Sequence, residues 1–195
     1  MTIRRRRATG QTLAELGLLL PLLFILMFGM MEFGWALFQS NVIRGYAREA
    51  SNLISRNRSL QEAEAAIVAA SHAGGPVKIG AGESDSRMIL SVVTLGAGGA
   101  NQNEAIVVQR HSIGNLAASS VLGDQPQDAY GPGPDYGAEN PSNNPSIRVS
   151  GPLPNGYVLT PGQSLFVTEI FTRREAIVDF APIVFPETLY ASAFF

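Results

Sequence analysis

LGLLLPLLFILMFGMMEFGWALF, Leu16 to Phe38, decides the organisation of this chain, because Glu32 is its one charged residue. Twenty-three residues at about 1.5 Å rise give roughly 34 Å of helix, enough for a hydrocarbon core of about 30 Å. Thirteen Leu, Ile or Phe residues supply roughly −4 to −8 kcal/mol of insertion free energy, against about +3 for a central charge. The stretch therefore reads as a transmembrane helix. Pro21 removes the bond to the Gly17 carbonyl, which predicts a kink between Gly17 and Pro21.

Working outward, Arg4 to Arg7 precede the apolar run, while only Arg44, Arg48 and Arg56 follow it closely. The positive-inside bias predicts a cytoplasmic N-terminus and an exported body. A cleaved secretory signal would have a shorter apolar core and a small-x-small site, and neither is present. From Ala8 to Phe195 the chain carries ten basic and sixteen acidic residues, a net of −6. It lacks a basic stripe with interleaved aromatics, so no nucleic-acid partner is expected. With no cysteine, disulfides, thiol catalysis and thiolate metal sites are excluded.

Directly before the span the chain reads Arg7-Ala8-Thr9-Gly10, then Gln11-Thr12-Leu13-Ala14-Glu15: a basic leader, a glycine, and an acid five residues on. A second cluster follows in Gly29 to Gly34 and in Ala47-Arg48-Glu49-Ala50. Gly10 to Asn52 resembles the TadE-like minor pseudopilins of tight-adherence (Flp) pili. The resemblance implies a leader of residues 1–10, a transmembrane helix over 11–38 and a periplasmic pilin-like domain over 39–195. It also implies a bacterial inner-membrane location and cleavage by a prepilin peptidase between Gly10 and Gln11. Other pilins or pseudopilins, the pilus assembly machinery and membrane lipid would be the partners. Glu15 would set registration against the free amine of a neighbouring subunit. Leu16 departs from the aromatic residue common after this glutamate in the major pilins, which favours a minor role. Glu32, near the outer interface, reads either as a contact between helices or as a water-facing acid.

Beyond the span Val42, Ile43, Tyr46, Ala47, Ala50, Leu53 and Ile54 continue an apolar stripe at helical spacing. Ser59-Leu60-Gln61-Glu62 is a capping box opening a second helix over about Leu60 to Ala73. Short β-rich runs come next: Met88 to Leu95, Glu104 to Ser112, Gly156 to Leu159, Leu165 to Thr172, Ala176 to Phe180 and Leu189 to Phe194. Helices first and strands afterwards predict an α+β unit, a helix laid on an antiparallel sheet. Gly96 to Gly99 reads as a hairpin turn.

Gly123 to Gly156 contains seven prolines and is too long for a routine connection. Asp124, Asp128, Asp135 and Glu139 match no EF-hand spacing, so the stretch is expected to be a solvated acidic loop without metal. His72 and His111 are expected at the surface or at helix and strand ends. With no G-x-S-x-G, H-E-x-x-H or cysteine, neither enzymatic activity nor a cofactor is assigned. The Asn57-Arg58-Ser59 sequon receives no function. A permanently anchored periplasmic protein that binds a partner through residues 123–156 is the alternative reading.

Overall fold

The computed structural model describes residues 6–177 and 186–195, with side chains described from Leu13 onward. Arg4 and Arg5 of the leader lie outside the described residues. The fold is α+β, built from two helices and one four-stranded antiparallel sheet. The chain divides into two compact units, one holding α1 up to Phe38 with the segment that begins at Glu175, the other holding 39–174 and 186–195.

Helix α1 runs from Arg6 to Ser55 and continues through Pro21. In the first unit most of its large apolar side chains are bare: Leu18 is 80% exposed and Leu23 62%, with Leu16, Leu22 and Phe33 also open. From Leu13 to Ser55 the helix is long and apolar enough to cross a membrane, with a mean hydropathy of 2.2 in its most apolar window. Burying such side chains is favourable by about 1.5–3 kcal/mol each, so this surface needs a lipid or protein environment.

In the second unit the same helix changes character. Ile43, Ala47, Ala50 and Ile54 are buried at helical spacing and join the core cluster with Met88, Leu90 and Ile170 of the sheet. Helix α2, Leu60–His72, begins at the predicted capping box: Ser59 Oγ accepts the Glu62 N–H, and Glu62 Oε2 accepts the Ser59 N–H, both at 3.2 Å. Its Leu60, Ala63 and Ile67 complete the helical side of the core.

The strands are β1 (Ser86–Leu95), β2 (Ala105–Ile113), β3 (Ser164–Arg173) and β4 (Thr188–Phe194), in the order β2-β1-β3-β4. Two expected strands are corrected. Gly156 to Leu159 begins inside a 3-10 turn at Pro154–Gly156 and makes no ladder, because the left-handed backbone at Asn155 (φ 57°) and Gly156 (φ 68°) breaks the extended run at its start. Ala176 and Ile177 are not in a strand, and the rest of that run, to Phe180, lies outside the described residues.

Central β1 is buried on both faces. Met88, Leu90 and Val92 meet the helices, whereas Ile89 and Val93 belong to clusters on the opposite face. Residues 123–156 provide much of that second cover, which corrects the expectation of a solvated loop. Ala129, Tyr130 and Ile147 pack with Leu122, Val107 and Val167. Backbone bonds Ala138 N–H to Val108 O at 2.7 Å and Val149 N–H to Ala105 O at 2.9 Å also fasten the segment along β2.

The connection from β1 to β2 is a hairpin, as Gly96 to Gly99 predicts. Gly96 is required there, since a Cβ would run into the Asn101 carbonyl. Buried Asn101 ties this hairpin to the long segment: its Nδ2 donates to Pro141 O and Asn144 O, each at 2.8 Å, and its Oδ1 accepts from Arg148 Nε at 2.7 Å.

Candidate functional site

Two sets of residues are candidates for a functional role, one on α1 and one on the sheet. On α1, Gly10 and Gln11 lie in helical backbone, and Glu15 stands exposed just over one turn further on, at the edge of the apolar surface. The structure thus places all three on one continuous helix.

Glu32 faces the chain's own returning segment. It is 4% exposed, and its Oε2 accepts the backbone N–H of Ile177 at 2.9 Å. One turn on, Trp35 Nε1 donates to the Glu175 carbonyl at 3.0 Å. Both partners come from the returning segment of the same unit, whose backbone polar groups need hydrogen bonds once removed from water.

The second set lies on the sheet face opposite the helices. The register puts Arg110 of β2 opposite Ser91 of β1, and Ile89 opposite Glu169 of β3. Alternation along the strands therefore brings Arg87, Arg110 and Glu169 onto one face. Arg110 is 2% exposed and Glu169 fully buried.

Each charge is held by the cover above it. Glu169 accepts from Ser120 Oγ, from the Val121 N–H at 2.9 Å and from Tyr190 Oη at 3.3 Å. Arg110 Nη1 donates to Gln125 Oε1, and Gln125 is fixed by its own Nε2 donating to Leu122 O at 2.8 Å and Arg148 O at 3.0 Å. Arg87 donates from Nε to Ser112 Oγ at 3.0 Å and from Nη1 to Ala118 O at 2.7 Å.

Burial pulls the Arg110 guanidinium below its ordinary range, opposed by the fields of Tyr130, Glu169 and Asp124. Asp124 is held below the ordinary carboxylate range mainly by the Ser119 hydroxyl, then by the Ser120 N–H. Burial pushes the Tyr190 phenol up to about 12, so it stays protonated at neutral pH.

Arg87, Arg110 and Glu169 belong to no motif in the sequence. Their signal is the run each interrupts: Glu169 sits between Thr168 and Ile170 in an apolar strand, and Arg110 in a strand with Val107 and Ile113. A charge inside such a run is buried as soon as both sheet faces are covered.

His111 also departs from expectation. It is largely buried, with Nε2 2.8 Å from Glu64 Oε2 on α2 and its ring stacked on Tyr136 at 3.9 Å. Burial lowers its affinity for a proton, and the Glu64 charge opposes this. His72 does close α2 and is half exposed, 3.6 Å from Glu83. Among the described residues no cluster of three His, Cys, Asp or Glu could hold a metal ion.

Comparison with known proteins concerns α1. Residues 10–52 match the family described as TadE-like protein. No curated protein and no solved structure matches the chain. The matched segment contains the apolar helix, a combination that fits a single-pass, membrane-anchored component associated with the Tad pilus. Over residues 10–52, the chain is similar to the TadE-like family.

Proposed function

We propose that the chain is a minor pseudopilin that contributes to assembly or priming of a tight-adherence pilus by membrane insertion and helix-to-helix packing. The observation that carries this reading is the bare apolar length of α1 beginning at Leu13, within the TadE-like segment. In a bilayer that surface faces lipid. In a filament it faces the same surface of neighbouring subunits, so one helix serves both states.

Arg4 to Arg7 orient the helix with its N-terminus in the cytoplasm of a bacterial inner membrane, and the domain after Gln39 is periplasmic. Prepilin peptidase then cuts between Gly10 and Gln11 and removes the cations that hold the N-terminus at that surface. Glu15 lies at the interface while the helix is in the bilayer, where a carboxylate costs little. Drawn into a filament core it loses water, and a neighbour's free amine offsets the desolvation. The protein carries out no chemistry of its own.

Glu15→Ala tests the registration role. It should leave membrane insertion intact and reduce piliation; full piliation by this variant contradicts the role. A permanently anchored binding protein is the competing reading, favoured by the cavity that Asp124, Gln125 and Gln127 help to line. Retention of function by a chain that keeps its leader would favour it.

A further inference from the structure

On the face of the sheet away from the helices a cavity of about 610 Å³ opens among Arg87, Arg110, Ala118, Ser119, Asp124 and Gln125. Two guanidinium groups on adjacent strands border one opening, and one of them, Arg110, is 2% exposed. An arginine carries five donors in a planar fork. Arg110 gives one to Gln125, and Arg87 gives two to Ser112 and Ala118, so each retains donors beyond these bonds.

Charge on the lining is uneven. Arg87 and Arg110 are cationic, and Asp124 is the one anion among the lining residues. Glu169, whose field also reaches Arg110, spends its carboxylate on Ser120, Val121 and Tyr190 and does not line the opening. Asp124 is likewise engaged with Ser119 and with the Ser120 N–H at 3.2 Å. The lining thus carries one positive charge in excess, next to planar donor forks whose geometry matches a carboxylate.

We propose that this cavity binds a carboxylate group, held by Arg87 and Arg110, on a small ligand or at the end of a peptide. Ala117, Ala118 and Ser119 leave room for a short substituent beside it. Asp124 sets the charge selectivity: it leaves space for one negative charge and repels a dianion.

The test titrates the full chain in detergent micelles with acetate, with an N-acetylated dipeptide as free acid and as C-terminal amide, and with inorganic phosphate. Arginine side-chain N–H resonances and calorimetry provide the readouts. Acetate and the dipeptide acid should bind and shift the Arg87 and Arg110 signals, while the amide and phosphate bind at least about tenfold more weakly. Equal affinity for acetate and the acid assigns a free small carboxylate, and tighter binding of the acid assigns a peptide terminus. Arg87→Gln, at the less buried of the two arginines, should weaken binding about tenfold or more in a chain that still folds. Ala117→Trp, at an exposed position, should block the opening with the arginines intact. No response to acetate or to the acid, phosphate binding tighter than acetate, or unchanged binding by both variants overturns the proposal.

Discussion

Ser51 Oγ on α1 donates to Thr168 Oγ1 on β3 at 2.8 Å, in a site where both residues are fully buried, and lies 3.2 Å from the Ala193 carbonyl on β4. One hydroxyl thus joins the distal part of α1 to the two strands that end the sheet. Ser51→Ala removes the donor and leaves Thr168 Oγ1 without it. The cost should be about 1–2 kcal/mol. In a chain of this size that lowers Tm by roughly 2–8 °C. Thermal unfolding in detergent, followed by circular dichroism, reads the shift; an unchanged Tm would show that the contact contributes nothing.

Ile147 is the fully buried side chain by which the cover formed by residues 123–156 packs against Val107 and Val167 of the sheet. Ile147→Ala opens a cavity and should cost about 2–5 kcal/mol. Hydrogen exchange should speed up first at Ala138 and Val149, which bond to β2. Equal protection in both proteins would mean that the segment is not held by its apolar contacts.

His111 has a lower proton affinity folded than unfolded, because burial outweighs the favourable Glu64 charge. The unfolded state then binds the proton more tightly, so stability rises with pH through the window between the folded value and about 6.5. It is fully present above about 6.5 and lost as pH falls towards the lower, folded value. Glu64 of α2 and Tyr136 of the long segment are the groups that face the ring. Denaturant unfolding between about pH 8 and pH 5 should show a decline that His111→Gln flattens. Parallel curves for parent and variant would exclude His111 as its source.

Glu169→Gln keeps the shape of a buried side chain and removes one acceptor oxygen from a site with three donors. An unmatched donor costs about 1–3 kcal/mol. The loss should be local at first, with faster exchange of the Val121 amide. A variant as stable as the parent would place the energy of this site elsewhere.

Local signals were legible in the sequence where they act locally. The Ser59–Glu62 capping box and the stripe from Ile43 to Ile54 appear as the spacing requires, and the four strands fall on β-rich runs. What could not be read is the second cover of the sheet. It is made of 3-10 turns and single bridges, such as Gln109 with Gly137, which have no periodicity of their own. Its one trace is β1, where Met88 to Val93 is buried at both parities, as in a strand covered on both sides. Without that cover Arg110 and Glu169 read as solvent-facing charges, and the cavity between the arginines stays invisible.

Processing of the N-terminus tests the central claim most directly. The membrane form should be sequenced from cells with and without the prepilin peptidase. The account predicts a chain starting at Gln11 when the peptidase is present, with Arg4 to Arg7 retained only in its absence. Arg4 to Arg7 retained in both would contradict it, leaving α1 a permanent anchor rather than a helix released for assembly.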